Sequence, residues 1–291
     1  MRPVPPAEVV SPTLLRAWPL PEPDENGSKH DRGTVLVVGG AASTPGAVLL
    51  AGLAALRAGA GRLSVATVRS TQVALGVALP EALVDGLPET PDGALDPGCA
   101  EQVVSSCGSA ATVLLGPGLL DDRAVRALLE AVLPRLGEAG VVLDAGALTA
   151  LAGAPELLDA VRDRVVLTPN GGELAALLEG ADLEGADAVR AVAERYGAVV
   201  VGQGTVAAPD GRAWEDGAGG IGLGTSGSGD VLAGVVAGLL GTGADAAQAA
   251  VWGRHLHAAA GDRLAARIGR TGFLARELLE QVPLVRTGLR T

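Results

Sequence analysis

Apolar residues along this chain fall into short continuous runs that end at glycine, proline or a carboxylate, with stretches of helical spacing between them. Thr34 to Val38 (TVLVV) is the first such run and ends at Gly39-Gly40. A β-branched run without polar alternation predicts a strand buried on both faces, the habit of a parallel sheet. Leu63 to Thr67, Thr112 to Leu115, Val141 to Leu143, Val165 to Leu167 and Ala198 to Val201 repeat the pattern. Helical spacing predicts helices over Gly46 to Ala58, Arg123 to Leu136, Glu173 to Leu178 and Ala186 to Tyr196, with a short one at Pro12 to Trp18. Strand-helix alternation of this length predicts a three-layer α/β/α sandwich around a mainly parallel sheet. Val206 to Trp214 differs, because its Pro209-Asp210-Gly211 turn predicts a hairpin near a sheet edge. Residues 1–33, rich in proline and charge, read as an arm or cap, and residues 34–291 as one domain without repeat or linker.

Composition narrows the picture. Hydrophobic residues make up 48% of the chain and aromatic residues only 2%, so Ala, Val and Leu must fill the core. The net charge of −11 comes without a basic patch, which argues against a nucleic-acid partner. Anionic small ligands stay open, since backbone amides hold phosphate without net positive charge. Cys99 and Cys107 stand outside any CxxC or His/Cys cluster and read as free thiols of a reducing compartment. The N-terminus carries prolines and acids where a secretory signal needs a basic and then an apolar run. No stretch reads as a membrane span, and the expectation is a cytoplasmic protein.

In open α/β sheets ligands bind outside the carboxyl ends of the strands. The candidate site therefore collects Gly39-Gly40, Gly116-Pro117-Gly118, Asp144, Thr168 to Glu173, Gly202 to Thr205 and Gly224 to Asp230. In the last of these a glycine-rich loop meets an apolar helical pattern, and Asp230 stands at the junction. A helix N-terminus offers free N–H groups and partial positive charge, and glycines let that backbone approach a phosphate. Asp230 in that place is either a helix cap or a base facing a hydroxyl while the amides hold a phosphate being transferred. No Gly-Lys-Ser/Thr follows, so the loop is not a Walker A. Asp144 either caps the following helix or reaches into the site. Glu173 reads as a first-turn acid or as a phosphate and metal contact. His255 and His257 lie in an apolar helix without metal spacing, and His257 reads as a packed histidine.

Gly227-Ser228-Gly229-Asp230-Val231-Leu232-Ala233-Gly234 resembles the anion-hole and catalytic-Asp motif of ribokinase-like small-molecule kinases. Other segments resemble one branch of that superfamily, the ADP/ATP-dependent NAD(P)H-hydrate dehydratases, and occur in the branch's order. They are Lys29-His30-Asp31-Arg32-Gly33 before TVLVVGG, Thr44-Pro45-Gly46-Ala47, Ala54 to Gly61, Gly116 to Leu119, Val142 to Ala145, Leu167-Thr168-Pro169 and Leu256-His257. The resemblance covers about residues 10 to 285. It implies repair of damaged NADH or NADPH: a nucleotide, ATP or ADP, phosphorylates the hydroxyl added to the nicotinamide ring, and elimination restores the double bond. It further implies that Asp230 is the catalytic carboxylate and contacts the hydrated nucleotide. Ala47, Gly118 and Asn170 would line the substrate site. Val201, Gly202, Gln203, Gly204 and Thr205, with Gly227, Ser228 and Gly229, would contact the adenine nucleotide. Magnesium would accompany the phosphates, held mainly through water and phosphate oxygens, with Glu173 as the nearby carboxylate. Relatives imply a homo-oligomer, a tetramer, without the epimerase domain that some of them carry.

The chain departs from that pattern in places. Val201 stands where the family has Lys, Asn170-Gly171-Gly172-Glu173 where it has His-Pro-Gly-Glu, Gly146 where it has a second acid, and Gly220-Ile221 where it has Asn-Pro. Asn-x-x-Glu is a magnesium and phosphate motif of sugar and vitamin kinases. It keeps open a second reading, a kinase of a small hydroxylated metabolite. Val201 keeps open a third, a nucleotide-binding protein without catalysis.

Overall fold

Successive residues of each central strand enter two different cores. Val35 and Val37 pack into one apolar cluster and Leu36 and Val38 into the other. All four are fully buried, as a strand covered on both faces requires. The computed structural model describes residues 6–22 and 32–290; Lys29, His30 and Asp31 of the lead-in lie outside the described residues.

The strands are β1 (Glu8–Val9), β2 (Thr34–Val38), β3 (Arg62–Val68), β4 (Ala82–Leu87), β5 (Thr112–Leu115), β6 (Gly140–Leu143), β7 (Val165–Leu167), β8 (Val199–Gly202), β9 (Thr205–Ala207) and β10 (Ala213–Glu215). They form one sheet in the order β1-β10-β9-β8-β7-β6-β5-β2-β3-β4. From β4 to β8 all neighbours are parallel. The hairpin foreseen at Val206 to Trp214 supplies antiparallel β9 and β10, and β1 joins β10 in parallel.

The helices are α1 (Pro12–Ala17), α2 (Pro45–Ala58), α3 (Gln72–Ala78), α4 (Ala100–Cys107), α5 (Asp122–Val132), α6 (Gly146–Leu151), α7 (Gly171–Leu178), α8 (Gly185–Tyr196), α9 (Ser228–Gly241), α10 (Ala246–Ile268) and α11 (Ala275–Arg290). Residues of α2, α9, α10 and α11 cover one face of the sheet, and residues of α4 to α8 cover the other. This is the three-layer, mainly parallel sandwich that the sequence predicts. Among the described residues no helix is long and apolar enough to cross a membrane.

Three differences from the sequence reading are instructive. The stretch between the second and third predicted strands contains α3, β4 and α4, to which the pattern assigned nothing. β4 (ALVDGL) is an edge strand of intermediate burial carrying Asp85 and Gly86, so it shows no continuous apolar run. The helix predicted over Arg123 to Leu136 ends at Val132 and passes into a 3₁₀ turn at Leu133–Arg135, where Pro134 cannot donate to the α-helical ladder. The described N-terminal residues 6–22 are tied down. Trp18 stacks on Trp214 with ring centroids 5.7 Å apart, and Trp252 Nε1 donates to the Trp18 carbonyl at 2.8 Å.

With so few aromatics, the helices approach very closely. A Cβ added to Gly234 in α9 would stand 2.2 Å from the Ala51 carbonyl oxygen of α2. One on Gly238 would stand 2.5 Å from the Ala55 carbonyl oxygen. The two helices pack backbone to backbone. A methyl group at either point pushes α9 off α2, so Gly234→Ala should destabilise the fold by about 1–3 kcal/mol despite its better helix propensity. Gly46→Ala, at a helical position with open space, should be neutral or slightly stabilising. Denaturant unfolding of both variants beside the parent checks the contrast.

Candidate active site

The carboxyl ends of the parallel strands meet where the chain reverses its order, between β2 and β5, with β3 and β4 on one side and β6 to β8 on the other. Such a switch point opens a crevice. Its walls are stitched together by main-chain bonds: Gly40 N–H donates to the Pro117 carbonyl at 2.7 Å, and Gly116 N–H to the Val38 carbonyl at 3.1 Å. The Thr44 hydroxyl donates to the Gly118 carbonyl at 2.7 Å. Ala47 Cβ lies 3.0 Å from where a Cβ on Gly118 would stand. Two of the residues assigned to the substrate are thus side by side.

Asp144 follows β6 and is buried, 4% exposed. Its Oδ1 accepts a hydrogen bond from the Thr168 hydroxyl at 2.9 Å, from the end of the neighbouring strand. Burial pushes its carboxyl up to about 7, the Thr168 bond opposes that, and the charges of Asp230 and Glu173 add to it. The next residue, Ala145, has φ 49° and ψ −121°, which L-residues rarely adopt. Strain of this kind costs about 1–3 kcal/mol and marks a place the surrounding structure over-determines.

Asp230 lies in the first turn of α9 and is partly buried. Burial, and then the charge of Glu173, raise its carboxyl to about 6. The helix opens at Gly227 with φ 87°, and this residue has no side chain with which to cap it. The N–H groups of the first turn, at Gly229 and Asp230, stay available to an anion. Amides open to an anion and a carboxylate of raised proton affinity therefore stand on the same turn.

Asn170 and Glu173 begin α7. Asn170 Oδ1 accepts from the N–H groups of Gly172 and Glu173 at 2.9 and 3.0 Å, and Glu173 Oε2 accepts from the Asn170 N–H at 2.8 Å. This is a capping box, so the pair that suggested a phosphate motif has a structural occupation. Burial raises the Glu173 carboxyl and its bonds to Asn170 oppose the rise. Among the described residues, no group of three or more His, Cys, Asp or Glu is placed to hold a metal ion.

The nucleotide segment divides sharply. Val201 is 1% exposed, packs in the core and pairs with Val206 across the hairpin, and Gly202 and Thr205 are also buried. Only Gln203 and Gly204, at the turn between β8 and β9, reach the surface. The Gln203 amide nitrogen stands 3.0 Å from where a Cβ on Gly171 would be, which joins this turn to the start of α7. Behind the turn lies a charged group that sequence reading missed. Asp216 N–H donates to the Gly204 carbonyl at 2.8 Å, and the Asp216 carboxylate meets His255 Nδ1 at 3.3 Å and Arg254 Nη1 at 3.7 Å. Burial works to raise Asp216, but the His255 and Ala218 bonds and the Arg254 charge outweigh it. No sequence pattern joins positions so far apart.

A recess of about 560 Å³ lined by Cys107, Arg135 and Gly241 lies elsewhere, beside the residues that precede β5 and β6. Cys99 and Cys107 are free and buried, and burial raises both thiols to about 11, so neither offers a thiolate.

Comparison with known proteins bears on the fold and the family. The family model described as NAD(P)H-hydrate dehydratase matches residues 35–284. The ADP-dependent (S)-NAD(P)H-hydrate dehydratase of Xanthomonas campestris is 45% identical over 288 residues, covering 96% of each chain. The bifunctional NAD(P)H-hydrate repair enzyme of Moorella thermoacetica is 37% identical over 94% of this chain, which spans 53% of that protein. Among solved structures, the ADP/ATP-dependent NAD(P)H-hydrate dehydratase of Bacillus subtilis, co-crystallised with ATP and Mg²⁺, superposes with a TM-score of 0.79 at 27% identity, covering 97% of this chain and 99% of that one. A ribokinase-like superfamily protein of Enterococcus faecalis gives 0.81 at 22% identity, with 98% and 97% covered, a likeness of fold.

Because the folded Asp144 carboxyl titrates near 7 and the unfolded one near 4, the native state binds the extra proton between those values. That group's cost to stability is absent below about pH 4 and complete above about pH 7. Asp144→Asn should therefore be more stable than the parent at pH 8, by on the order of 2–4 kcal/mol, and lose the advantage at pH 4. Scanning calorimetry at the two pH values checks it.

Proposed function

The chain belongs to the NAD(P)H-hydrate dehydratase family, and from that membership we propose that it dehydrates NAD(P)H hydrate back to NAD(P)H at the expense of ATP or ADP. One observation carries the reading: Asp230, a carboxylate held near pKa 6, shares the opening turn of α9 with uncapped N–H groups. A carboxylate with raised proton affinity suits a base that works near neutral pH.

Asp230 takes the proton of the ring hydroxyl as that oxygen attacks the terminal phosphorus of the nucleotide. The bond from phosphorus to the bridging oxygen breaks, and ADP leaves from ATP or AMP from ADP. The Gly229 and Asp230 amides steady the phosphoryl oxygens during transfer. Phosphate then departs from the ring, the neighbouring carbon gives up a proton, and the double bond forms. Ala47 and Gly118 form the wall on the β2/β5 side, and the exposed Gln203-Gly204 turn faces the nucleotide. Val201 supports the strand from within the core. Asn170 would meet the substrate from the mouth of α7.

Magnesium fits this carboxylate-rich crevice only as a partner of the phosphates. Asp144, Asp230 and Glu173 are hard oxygen donors, but they do not close a cage among the described residues. Bound there, the ion would neutralise phosphate charge, and the carboxylates would reach it through water. The kinase reading loses its main support, since Asn170 and Glu173 are joined in a helix cap. Tetrameric assembly and cytoplasmic residence belong to the same proposal, and light scattering of the purified chain checks the assembly.

The test is absorbance at 340 nm on incubation with hydrated NADH, magnesium and either ATP or ADP. We expect a nucleotide-dependent rise, and a loss of about 10²- to 10⁴-fold in Asp230→Asn. Turnover of Asp230→Asn within a few-fold of the parent removes Asp230 as the base. The base must be ionised, so kcat/KM should fall as pH drops through about 6. A flat profile from pH 5 to 8 speaks against this assignment.

A further inference from the structure

The turn that carries Asp230 has little of its own to hold it. Of residues 227 to 229, only Ser228 has a side chain. Gly227 adopts φ 87°, and a Cβ on Gly229 would meet open space. Ser228 itself is buried, 4% exposed. Its Oγ lies 2.9 Å from Nε2 of His257 in α10, which is 6% exposed. The Ser228 N–H donates to the Thr225 carbonyl at 3.2 Å, so the residue is pinned by main chain and side chain together.

The ring is held neutral. Burial and then the nearby Arg254 charge press His257 down to about 4, and a bond with the Ser228 backbone only partly opposes them. A neutral imidazole and a hydroxyl share one hydrogen bond in either tautomer. A charged ring at this place would be repelled by the Arg254 guanidinium on its own helix. The bond therefore persists across neutral pH.

We propose that His257 is a positioning residue of the reaction: by holding Ser228 from behind, it sets the first turn of α9, and so aims the Gly229 and Asp230 N–H groups and the Asp230 carboxylate, without touching substrate or nucleotide. What Asp230 does rests on the dehydratase reading; the Ser228–His257 tether does not. Misplacement of reacting groups by about 1 Å can cost on the order of 10²-fold in rate, so a tether of this kind acts on kcat.

The experiment compares His257→Leu, His257→Gln, Ser228→Ala and the double variant S228A/H257L with the parent. His257→Leu should lower kcat about 10- to 100-fold and change KM for hydrated NADH far less. The glutamine amide can reach the Nε2 position, so His257→Gln should recover most of that loss. Ser228→Ala should resemble His257→Leu, and the double variant should be no worse than the poorer single one. A His257→Leu kcat within about twofold of the parent, a glutamine variant as impaired as the leucine variant, or losses that multiply in the double variant overturns the proposal. If His257→Leu fails to fold, Ser228→Ala decides alone, and a kcat within about twofold of the parent overturns the proposal. A parent inactive toward hydrated NADH sinks the reaction reading instead. The tether is then judged by long-range ¹H–¹⁵N correlations of the histidine rings. Ser228→Ala should shift the His257 nitrogens, and unchanged nitrogens overturn the contact.

Discussion

The closeness of α9 to its neighbours is the constraint on which the rest depends. Gly234 and Gly238 bring its backbone against the carbonyls of Ala51 and Ala55 in α2. On another side, Gly253 of α10 leaves a gap that Val236 fills, where a Cβ would stand 2.6 Å from Val236 Cγ2. Small residues on all three helices remove the cushion of side chains that usually separates helices by 8–10 Å. A helix seated by backbone contact cannot slide without a clash. Its first turn inherits that precision, and this is where a phosphate-binding loop needs it. A chain with 2% aromatic residues thus turns a shortage of large side chains into exact seating.

That rigidity has an electrostatic counterpart. Asp144, Asp230 and Glu173 all have raised pKa values, each through burial first. Gathering carboxylates in a chain of net charge −11 is unfavourable, and the strained Ala145 adds to the cost. None of this helps the fold. The apolar layers on the two faces of the sheet offset it, and the unfavourable energy is concentrated where a proton, or a cation carried by phosphates, would relieve it. Raised carboxylates and strain thus coincide where chemistry is expected, the usual relation between function and local strain.

Much of the frame could be read directly. Parallel strands buried on both faces must be continuous apolar runs, so β2, β3 and β5 to β8 were visible, and the turn Pro209-Asp210-Gly211 exposed the hairpin. β1 and β4 were not. β1 has only two residues, and β4 is half-buried at the edge, where polar residues and glycine are tolerated. Asp230 stood out because glycines precede it. The Asn170-x-x-Glu173 pair forms a capping box, which looks the same in one dimension as a phosphate motif. Ala145 gives no warning, because a strained alanine looks like any other. The Ser228–His257 and Asp216–Arg254 contacts join positions far apart in sequence, and no periodicity links them.

Helix α10 ties these observations together. Its Arg254 and His255 back the segment at Asp216, which holds the Gly204 turn, and one turn further on His257 holds the start of α9. A single helix thus braces both the Gly204 turn and the glycine loop at the start of α9. Loops supported in this way are not lids waiting to close: moving either one would break buried polar contacts, and buried partners left unpaired cost about 1–3 kcal/mol each. Asp216 Oδ2 and Arg254 Nη1 lack a hydrogen bond although they lie only 3.7 Å apart. Preorganised donors lower a barrier because they need not reorganise during the reaction. On the proposed reading, that preorganisation comes from α10, through Arg254, His255 and His257, behind the glycine loop.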